Sequence, residues 1–416
     1  MSARARRSWI RVGLSIALLV LAGGASVPAG AQTSSPIQIY GVWHCGDDYC
    51  TWSTVRSIAE FDEKNHWIID AGDGNPSVNL VVLAFVDPLK LLNKTNDSQT
   101  VDGVPVGMTQ EVVDYFKSRD IRVSLSIGGF TYTDFWTTAL ATDATQLGLN
   151  AAELAQDMGV GIEIDYEENT NPDLVGLQAF IDAYRSQLPF DVSGQNHAAR
   201  LTLDFAAGDR WLIDIARKAT TDWLGTEGPV LDYANAMVTA RRSNNAQSVI
   251  DNWQEHVDGK PQFAPPIPPL APAKFTGSLW LTGRSPVPEC VDFFNSQQHE
   301  TADYVQTVQP NGAGETPGML GFMFWAAECS GTRNECTTPP IGCEAGMGVA
   351  AKEFDIPIPM PALREAGDAP EPGGALQFFS GAIALLGLHA RRSRRRVCRK
   401  NKLRFQQCPI IGIPLS

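Results

Sequence analysis

The stretch GVGIEIDYEE, residues 159–168, alternates apolar side chains with carboxylates. Alternation with a period of two is typical of a β-strand, in which successive side chains point to opposite faces. Glu163, Asp165 and Glu167 would therefore project from one face of one strand. Burying three ionised carboxylates together costs on the order of several kcal/mol unless protons, hydrogen bonds or ions compensate. The pattern therefore favours a chemical role, and the alternative is an edge strand whose polar face is in water.

Strand-like and helix-like segments alternate along the rest of the chain. The predicted strands are 36–43, 78–86, 121–129, 159–167, 199–207, 230–240, 275–283 and 318–327. The predicted helices are 108–120, 143–159, 171–188, 209–219, 245–257 and a stretch near 289–304. Mostly apolar strands that alternate with helices imply a buried parallel sheet. Eight repeats predict a closed (β/α)8 barrel, a TIM barrel, as a single catalytic domain over residues 36–354.

An open, doubly wound sheet is the alternative fold. No glycine-rich dinucleotide fingerprint follows the first predicted strand, which weakens that alternative. In a barrel, the chemistry lies at the carboxyl ends of the strands. Glu167 ends the fourth predicted strand and would lie at that rim, with Asp165 and Glu163 progressively deeper. Crowded carboxylates raise at least one pKa, so that one carboxyl group stays protonated and can act as a general acid.

The amino-terminal segment 1–31 has the pattern of a secretory signal peptide. It combines four arginines, an apolar run over 12–21 and small residues at 29–31. A membrane anchor is the alternative, but the apolar run is short for one. We therefore expect a protein that is secreted or held at the cell surface.

The carboxyl-terminal region carries a second targeting pattern. PEP at 370–372 precedes an apolar segment, and RRSRRR follows at 391–396. This region resembles the PEP-CTERM sorting signal of some Gram-negative bacteria, which implies exosortase-type processing and transient membrane association. Residues 355–375 would be a linker, 376–396 the hydrophobic segment with its arginine cluster, and 397–416 a tail of unknown role. The alternative is a disordered basic tail.

The chain between these ends is strongly acidic. Hydrophobic residues make up 44% and charged residues 19% of the sequence, which is typical of a globular protein with a sizeable core. The net charge is −13, and the basic residues of the two ends, four before residue 32 and nine after residue 390, leave −26 for residues 32–390. This charge argues against nucleic acid as a partner and suits a neutral or cationic substrate. We expect a monomer.

Six of the eight cysteines lie in this acidic body: Cys45, Cys50, Cys290, Cys329, Cys336 and Cys343. An even number of cysteines in an exported chain indicates disulfides. Cys45 and Cys50 form the obvious local pair, and the other four can pair among themselves. A zinc site made of the last three is the alternative, although their spacing does not match common zinc motifs. The six histidines show no metal-ligand spacing, and no metal or cofactor is predicted.

Four motifs, in order along the chain, resemble family 18 glycoside hydrolases, the chitinases and related endo-β-N-acetylglucosaminidases. VGIEIDYE at 160–167 is similar to the D-G-x-D-x-D-x-E pattern that this family carries on barrel strand four. SIGG at 126–129 matches its S-x-G-G on strand three. LAFV at 83–86 and GFMFWA, with Trp325, match the ends of strands two and eight. The resemblance spans residues 37–327 and implies a TIM barrel that hydrolyses N-acetylglucosamine polymers.

The resemblance also implies roles for the carboxylates. Glu167 matches the family's proton donor to the glycosidic oxygen, and Asp165 matches the acid that orients the substrate's acetamido group. Glu163 replaces the family's middle Asp, which supports Asp165 from below with help from Ser126. The nucleophile is the carbonyl oxygen of the sugar's own N-acetyl group. It forms an oxazolinium intermediate that water opens with retention of configuration.

Trp325 would form the floor under the sugar, where an aromatic face suits the C–H bonds of a pyranose. The remaining predicted substrate-binding residues are Ser126, Gly128, Gly129, Tyr166, Met237, Thr239 and Trp43. Tyr40 and Trp136 are further candidates to line the cleft, although core packing explains them equally well.

The sequence departs from the family pattern on strands four and six. Val160 replaces the first Asp of the family motif. The family's M-x-Y-D on strand six is MVTA at 237–240, with Thr239 where Tyr would hold the acetamido carbonyl. Losing such a hydrogen bond costs ~3 kcal/mol of transition-state stabilisation, or ~10²-fold in rate. Tyr233 and Arg241 are candidates to replace it.

Asp204, on the fifth predicted strand, is expected to point inward. The alternative is a structural acid paired with Arg200 or Arg210. Three functions stay open at this point: a substrate-assisted hydrolase, a non-catalytic chitinase-like carbohydrate-binding protein that the strand-six departures favour, and a metal-dependent hydrolase with the three strand-four carboxylates as ligands.

Overall fold

The computed structural model of the 416-residue chain describes residues 38–46, 50–70, 74–206, 212–225, 228, 230–237, 246–280, 298–308, 317–325 and 327. Several predictions concern residues outside these ranges. They are the signal peptide at 1–31, the linker at 355–375, the sorting signal at 376–396, the tail at 397–416, and Thr239, Ala240, Arg210, Arg241, Cys290, Cys329, Cys336 and Cys343.

Eight parallel strands close into a barrel in the described part of the chain. The strands are β1 Ile39–Cys45, β2 Leu80–Val86, β3 Arg122–Gly128, β4 Gly161–Asp165, β5 Leu201–Phe205, β6 Ala234–Ala236, β7 Phe275–Trp280 and β8 Gly321–Trp325. Their order around the barrel follows the chain, and β1 pairs with β8 to close it. The predicted (β/α)8 barrel is confirmed, and the open sheet is wrong.

Helices connect the strands on the outside of the barrel. They are α1 Ile58–Ile69, α2 Pro88–Leu92, α3 Gln110–Lys117, α4 Thr133–Met158, α5 Leu174–Gln187, α6 Ile213–Lys218, α7 Ala246–Asp258 and α8 Gln298–Thr307. Helices α1 and α2 were not predicted from the sequence. A capping box between Ser57 and Glu60 fixes the start of α1. A short antiparallel hairpin follows α2, in which residues 100–101 pair with 104–105.

The helix α4 begins ten residues before its predicted start. Asp143 has non-helical backbone angles inside it, and its Oδ1 accepts a hydrogen bond from the Gln146 N–H at 2.9 Å. Asp143 therefore caps the second half of the helix at a kink, as its residue type predicted. The chain before this kink is also helical, which the sequence pattern did not indicate.

Strand side chains alternate between two environments. Those that point outward, such as Val42, Ile162 and Ile164, join a large apolar core beneath the helices. Those that point inward form a smaller apolar cluster near the amino ends of the strands, which includes Ile39 and Leu80. Polar residues fill the rest of the interior: Ser124, Ser126, Glu163, Asp165, Thr202, Asp204, Asn235, Thr276 and Ser278. No helix among the described residues is long and apolar enough to cross a membrane.

Candidate active site

Strand β4 and the two residues after it carry the three predicted carboxylates on one face. Glu163 is 0%, Asp165 4% and Glu167 8% exposed. Glu167 lies two residues beyond Asp165, the last residue of β4, at the carboxyl end of the barrel. The alternation predicted from the sequence is therefore present in the fold. Strand β4 pairs with β3 on one side and β5 on the other, which excludes an edge strand with a solvent-exposed face.

Glu163 is held at both carboxylate oxygens by residues from other strands. The Trp43 Nε1–H donates to its Oε1 at 2.9 Å, and the Asn235 Nδ2–H donates to its Oε2 at 2.7 Å. Asn235 is fixed in turn, since its Oδ1 accepts a hydrogen bond from Thr276 Oγ1 at 2.6 Å. Ser126 pairs with Glu163 in the register of β3 and β4. The base of the site is thus a hydrogen-bonded network inside the barrel.

Burial raises the pKa of all three carboxyl groups. It raises the pKa of Glu163 to about 7, although the hydrogen bond from Trp43 opposes the rise. Burial, and next the charges of Glu167 and Glu163, raise the pKa of Asp165 well above its ordinary value. Burial raises the pKa of Glu167 to about 7 against the opposing hydrogen bond from the Phe130 backbone N–H. The site therefore holds protons at neutral pH that separate carboxyl groups in water would lose.

Asp204 adds a fourth buried carboxyl group from β5. It is 2% exposed and lies beside Asn235 in the register of β5 and β6. Burial, followed by the charges of Glu163 and Asp165, raises its pKa well above the ordinary value. The inward direction expected for Asp204 is confirmed. Arg200, its suggested structural partner, pairs with Asp232 instead.

The consecutive glycines 128 and 129 allow β3 to end close against β4. Gly128 has a φ of +120°, and a Cβ there would lie 2.0 Å from the Asp165 carbonyl oxygen and 2.2 Å from Trp136 Nε1. The Gly129 N–H donates to the same carbonyl oxygen at 2.9 Å. These glycines therefore fix the backbone that carries Asp165. The predicted sugar contact of these two glycines stays a prediction.

Aromatic side chains lie beside the carboxylates at the carboxyl end of the barrel. Trp325, at the end of β8, is partly exposed and stacks on Phe85 with ring centroids 5.8 Å apart. Its ring lies 6.3 Å from that of Trp43. The predicted Cys45–Cys50 disulfide is present and packs against Phe85 and Trp325. Trp325 thus has an accessible face in a rigid setting, as a sugar platform requires.

Several predicted site residues lie elsewhere. Tyr166 points outward, where its hydroxyl contacts Thr137 Oγ1 at 3.0 Å and accepts from the Asp173 N–H at 3.2 Å. It is fully buried and cannot touch a substrate inside the barrel. The partly buried Met237 packs against the large apolar core.

Three further aromatic candidates do not lie beside Glu167. Tyr40 and Trp136 are fully buried in the core between strands and helices. Tyr233 precedes β6 and lies at the amino end of the barrel, so it cannot replace the missing strand-six tyrosine beside Glu167. The described histidines, cysteines and acids include no group of three that could hold a metal ion.

No family model matches the chain, and no curated protein matches it. Solved structures with a similar fold include a GH18 chitinase from Pseudoalteromonas aurantia (14% identity, TM-score 0.43, 69% of this chain and 93% of that one). A chitinase from Bacteroides thetaiotaomicron matches with 12% identity and a TM-score of 0.42 over 76% of this chain and 96% of that one. A GH18 chitinase from Cycas revoluta in complex with allosamidin matches with 14% identity and a TM-score of 0.39 over 68% and 94%. At such identities and TM-scores, these likenesses add nothing to what the strand order establishes about the fold.

Proposed function

We propose that this protein is a retaining, chitinase-like hydrolase of β-1,4-linked N-acetylglucosamine polymers or glycans. One observation carries the proposal. Glu167 lies at the carboxyl end of β4 with a pKa raised to about 7, two residues beyond a buried Asp165 on the same face. A carboxyl group that keeps its proton near neutral pH, at the rim where barrel enzymes work, is what a general acid requires.

The proposed reaction begins with proton transfer from the Glu167 carboxyl group to the glycosidic oxygen. The carbonyl oxygen of the substrate's own N-acetyl group attacks the anomeric carbon as the bond to the leaving alcohol breaks. The resulting oxazolinium ion is opened by water, and the Glu167 carboxylate now accepts a proton from that water. Two displacements at one carbon retain its configuration.

Asp165 would orient the acetamido group for this attack. Its Oδ1 is buried and has no hydrogen-bond partner among the described residues. A buried carboxylate oxygen without a partner is costly, and an acetamido N–H would be a suitable donor to it. Glu163 supports Asp165 from below. Hydrogen bonds from Trp43 and Asn235 fix the position of its carboxyl group.

The strand-six departures lower the expected rate. With Thr239 in place of tyrosine, a hydrogen bond to the reacting carbonyl oxygen is lost, at a cost of ~10²-fold in rate. The same departures favour the second candidate function, a non-catalytic protein that binds chitin-like glycans. Glu167 argues against it, since binding alone does not need a buried acid at the rim.

Turnover of a fluorogenic N,N′-diacetylchitobiose or triacetylchitotriose glycoside by the purified protein tests the proposal. Glu167→Gln keeps the size of the side chain and removes its proton chemistry, so we expect the rate to fall about 10²- to 10⁴-fold. Glu168→Gln is the matched control, because Glu168 accepts hydrogen bonds from the backbone of 170 and 171 and from no other residue that the structure describes. We expect it to retain the full rate.

Two other outcomes would replace the proposal. If the wild-type protein does not hydrolyse these glycosides but binds chitotetraose in calorimetry, it is a carbohydrate-binding protein. If EDTA abolishes turnover and divalent metal ions restore it, the substrate-assisted mechanism is wrong and the metal-dependent alternative is supported.

A further inference from the structure

A cavity opens at the amino ends of the strands, on the side of the barrel opposite to Glu167. Its volume is about 890 Å³, which lies within the range of small-molecule sites. Its basic lining residues are Lys117, Arg122, His197, Arg200 and Lys274, and its acidic ones are Asp120 and Asp232. A basic cavity is unexpected in a chain whose body is strongly acidic.

Asp232 is fully engaged in hydrogen bonds beneath the cavity. Its carboxylate accepts from Arg185 Nη2 at 3.1 Å, from Arg200 Nη1, and from the Leu201 N–H at 2.8 Å. The side chain of Asp232 is 1% exposed. The single negative charge of Asp232 is therefore shared between Arg185 and Arg200, and it reaches Lys274 only through space.

Three cations of the cavity contact only uncharged groups, which for Lys274 include the Phe190 ring, 5.5 Å from its Nζ to the ring centroid. Arg122 makes long hydrogen bonds to the carbonyl oxygens of Asn79 and Gln38, both at 3.4 Å. Lys274 Nζ donates to the Asp232 carbonyl oxygen at 3.2 Å. Neither residue forms an ion pair with any residue that the structure describes. Their charges are therefore available to an anion.

Lys117 is the third cation of the cavity without an ion pair among the described residues. Its Nζ donates to the carbonyl oxygens of Met158 and Gly159 at 3.1 and 2.6 Å. The lowered pKa of His197 indicates a positive potential in the cavity. Burial lowers its pKa, and the charges of Arg122, Lys117 and Arg200 lower it further. Counting His197 as neutral, four cations face two carboxylates in the cavity.

The wall of the cavity also includes apolar side chains. Ile39, Leu320 and the ring of Tyr233 lie among its lining residues. A site with an apolar wall and cations on its other sides suits a compact organic molecule with one charged group. Arg122 Nε and Nη2 already donate to backbone oxygens. Its Nη1 makes no hydrogen bond to a described residue and can donate to an oxygen of a phosphoryl or carboxylate group.

We propose that this cavity binds a sugar-sized molecule that carries an oxyanion group, either phosphoryl or carboxylate. The amino-terminal face of such barrels usually serves stability. Lys117 also stabilises the carboxyl end of α4, whose last carbonyl oxygens it binds. The proposal therefore depends mainly on Arg122 and Lys274, which form no ion pair with a described residue. The proposal does not depend on the hydrolase function, which uses the opposite end of the barrel.

Calorimetric titration of the purified protein at low ionic strength tests the proposal, with glucose 6-phosphate and glucuronate as probes and glucose as the uncharged control. We expect at least one of the two anions to bind and glucose to bind much more weakly. Binding of only one anion assigns the oxyanion as phosphoryl or carboxylate. Arg122→Gln and Lys274→Gln should each weaken the binding about tenfold, because each removes a charge-assisted contact.

Lys94→Gln is the matched control. It removes the same charge from an exposed lysine that pairs with Glu153 outside the cavity, and binding should not change. Far-UV circular dichroism and urea unfolding that match the wild-type protein show that the Arg122 and Lys274 variants are folded, and neither measurement depends on hydrolysis. The proposal is overturned if neither anion binds saturably, or if the cavity variants bind as tightly as the wild-type protein.

Discussion

Asn235 Nδ2 donates a hydrogen bond of 2.7 Å to Glu163 Oε2 inside the barrel, between side chains 72 residues apart in the chain. Trp43 holds the other oxygen of the same carboxylate. Strands β1 and β6 thus fix a residue of β4 from two directions. The consequence is that the carboxylate beneath Asp165 has one position, which a precise arrangement of catalytic acids needs.

We predict that Asn235→Ala destabilises the protein by about 1–3 kcal/mol, because Glu163 Oε2 and Thr276 Oγ1 both lose a buried partner. Urea unfolding measures the change. Asn93→Ala is the control, since Asn93 makes an exposed bond to the Leu89 carbonyl oxygen and should cost less than about 0.5 kcal/mol. Equal effects in the two variants would show that the Glu163 network contributes no stability.

Gly128→Ala should lower the free energy of unfolding by more than about 2 kcal/mol and reduce hydrolysis. Its Cβ would lie 2.0 Å from the Asp165 carbonyl oxygen, so β3 and β4 must separate. Gly74→Ala separates the steric clash of the new Cβ from the backbone strain of a positive φ. Gly74 also has a positive φ, +85°, but a Cβ there meets nothing within 4 Å, so only the backbone penalty of about 1 kcal/mol is expected. If the two variants lose equal stability, the close approach at Gly128 is not important.

The raised pKa values predict how stability depends on pH. Glu167 has a pKa of about 7 in the folded protein against an ordinary value of 4.5. It is therefore protonated in the folded state and ionised in the unfolded state between these values. Its contribution to stability is fully present below about pH 4.5 and is lost as the pH rises through about 7. The loss for one such group is about 3 kcal/mol.

Urea unfolding at about pH 5 and about pH 8 measures this dependence. Stability should fall between the two conditions, and the fall should be smaller in Glu167→Gln because the residue that exchanges a proton is gone. Glu168→Gln should behave like the wild-type protein. A wild-type stability that rises over this range would contradict the raised pKa values.

Trp325→Ala should raise KM for a chitotriose glycoside about tenfold, because the substrate loses an aromatic face worth about 1 kcal/mol or more. Trp325→Phe keeps an aromatic ring over Phe85 and should recover most of the affinity. Steady-state kinetics measures both. An unchanged KM in Trp325→Ala would show that this side chain serves only to pack against Phe85 and the nearby disulfide.

Much of the fold was predictable because most barrel strands are short apolar runs bounded by polar residues or glycine, and β4 shows a strict two-residue alternation. All eight predicted strands are present. The motifs SIGG and GIEIDYE come together because they lie on the adjacent strands β3 and β4. Helix α1 was missed, since its polar residues obscure the apolar pattern and its clearest signal is the capping pair of Ser57 and Glu60.

The prediction that Tyr166 binds substrate conflicts with the alternation of the strand itself. The alternation that puts Asp165 and Glu167 on the inner face puts Tyr166 on the outer face, and the structure places it there. Sequence proximity to the catalytic motif suggested a substrate contact that the strand geometry does not allow.

The hydrogen-bonded network around Glu163 was harder to predict. Asn235 and Thr276 come from β6 and β7, and their meeting with Glu163 depends on the stagger of strands around the closed barrel. The pattern of one strand holds no information about that stagger. A polar residue in each of two short buried strands was the only available signal.

The role of Glu167 is tested most directly by varying the leaving group. The measurement is kcat/KM of the wild-type protein and Glu167→Gln on two N,N′-diacetylchitobiose glycosides. One has an alkyl alcohol as its leaving group, and the other has a dinitrophenol that departs without a proton. If Glu167 is the general acid, the substitution lowers kcat/KM about 10²- to 10⁴-fold for the alkyl glycoside and far less for the dinitrophenyl glycoside. Equal losses on both substrates, or no loss on either, would contradict the assignment of Glu167 as the proton donor.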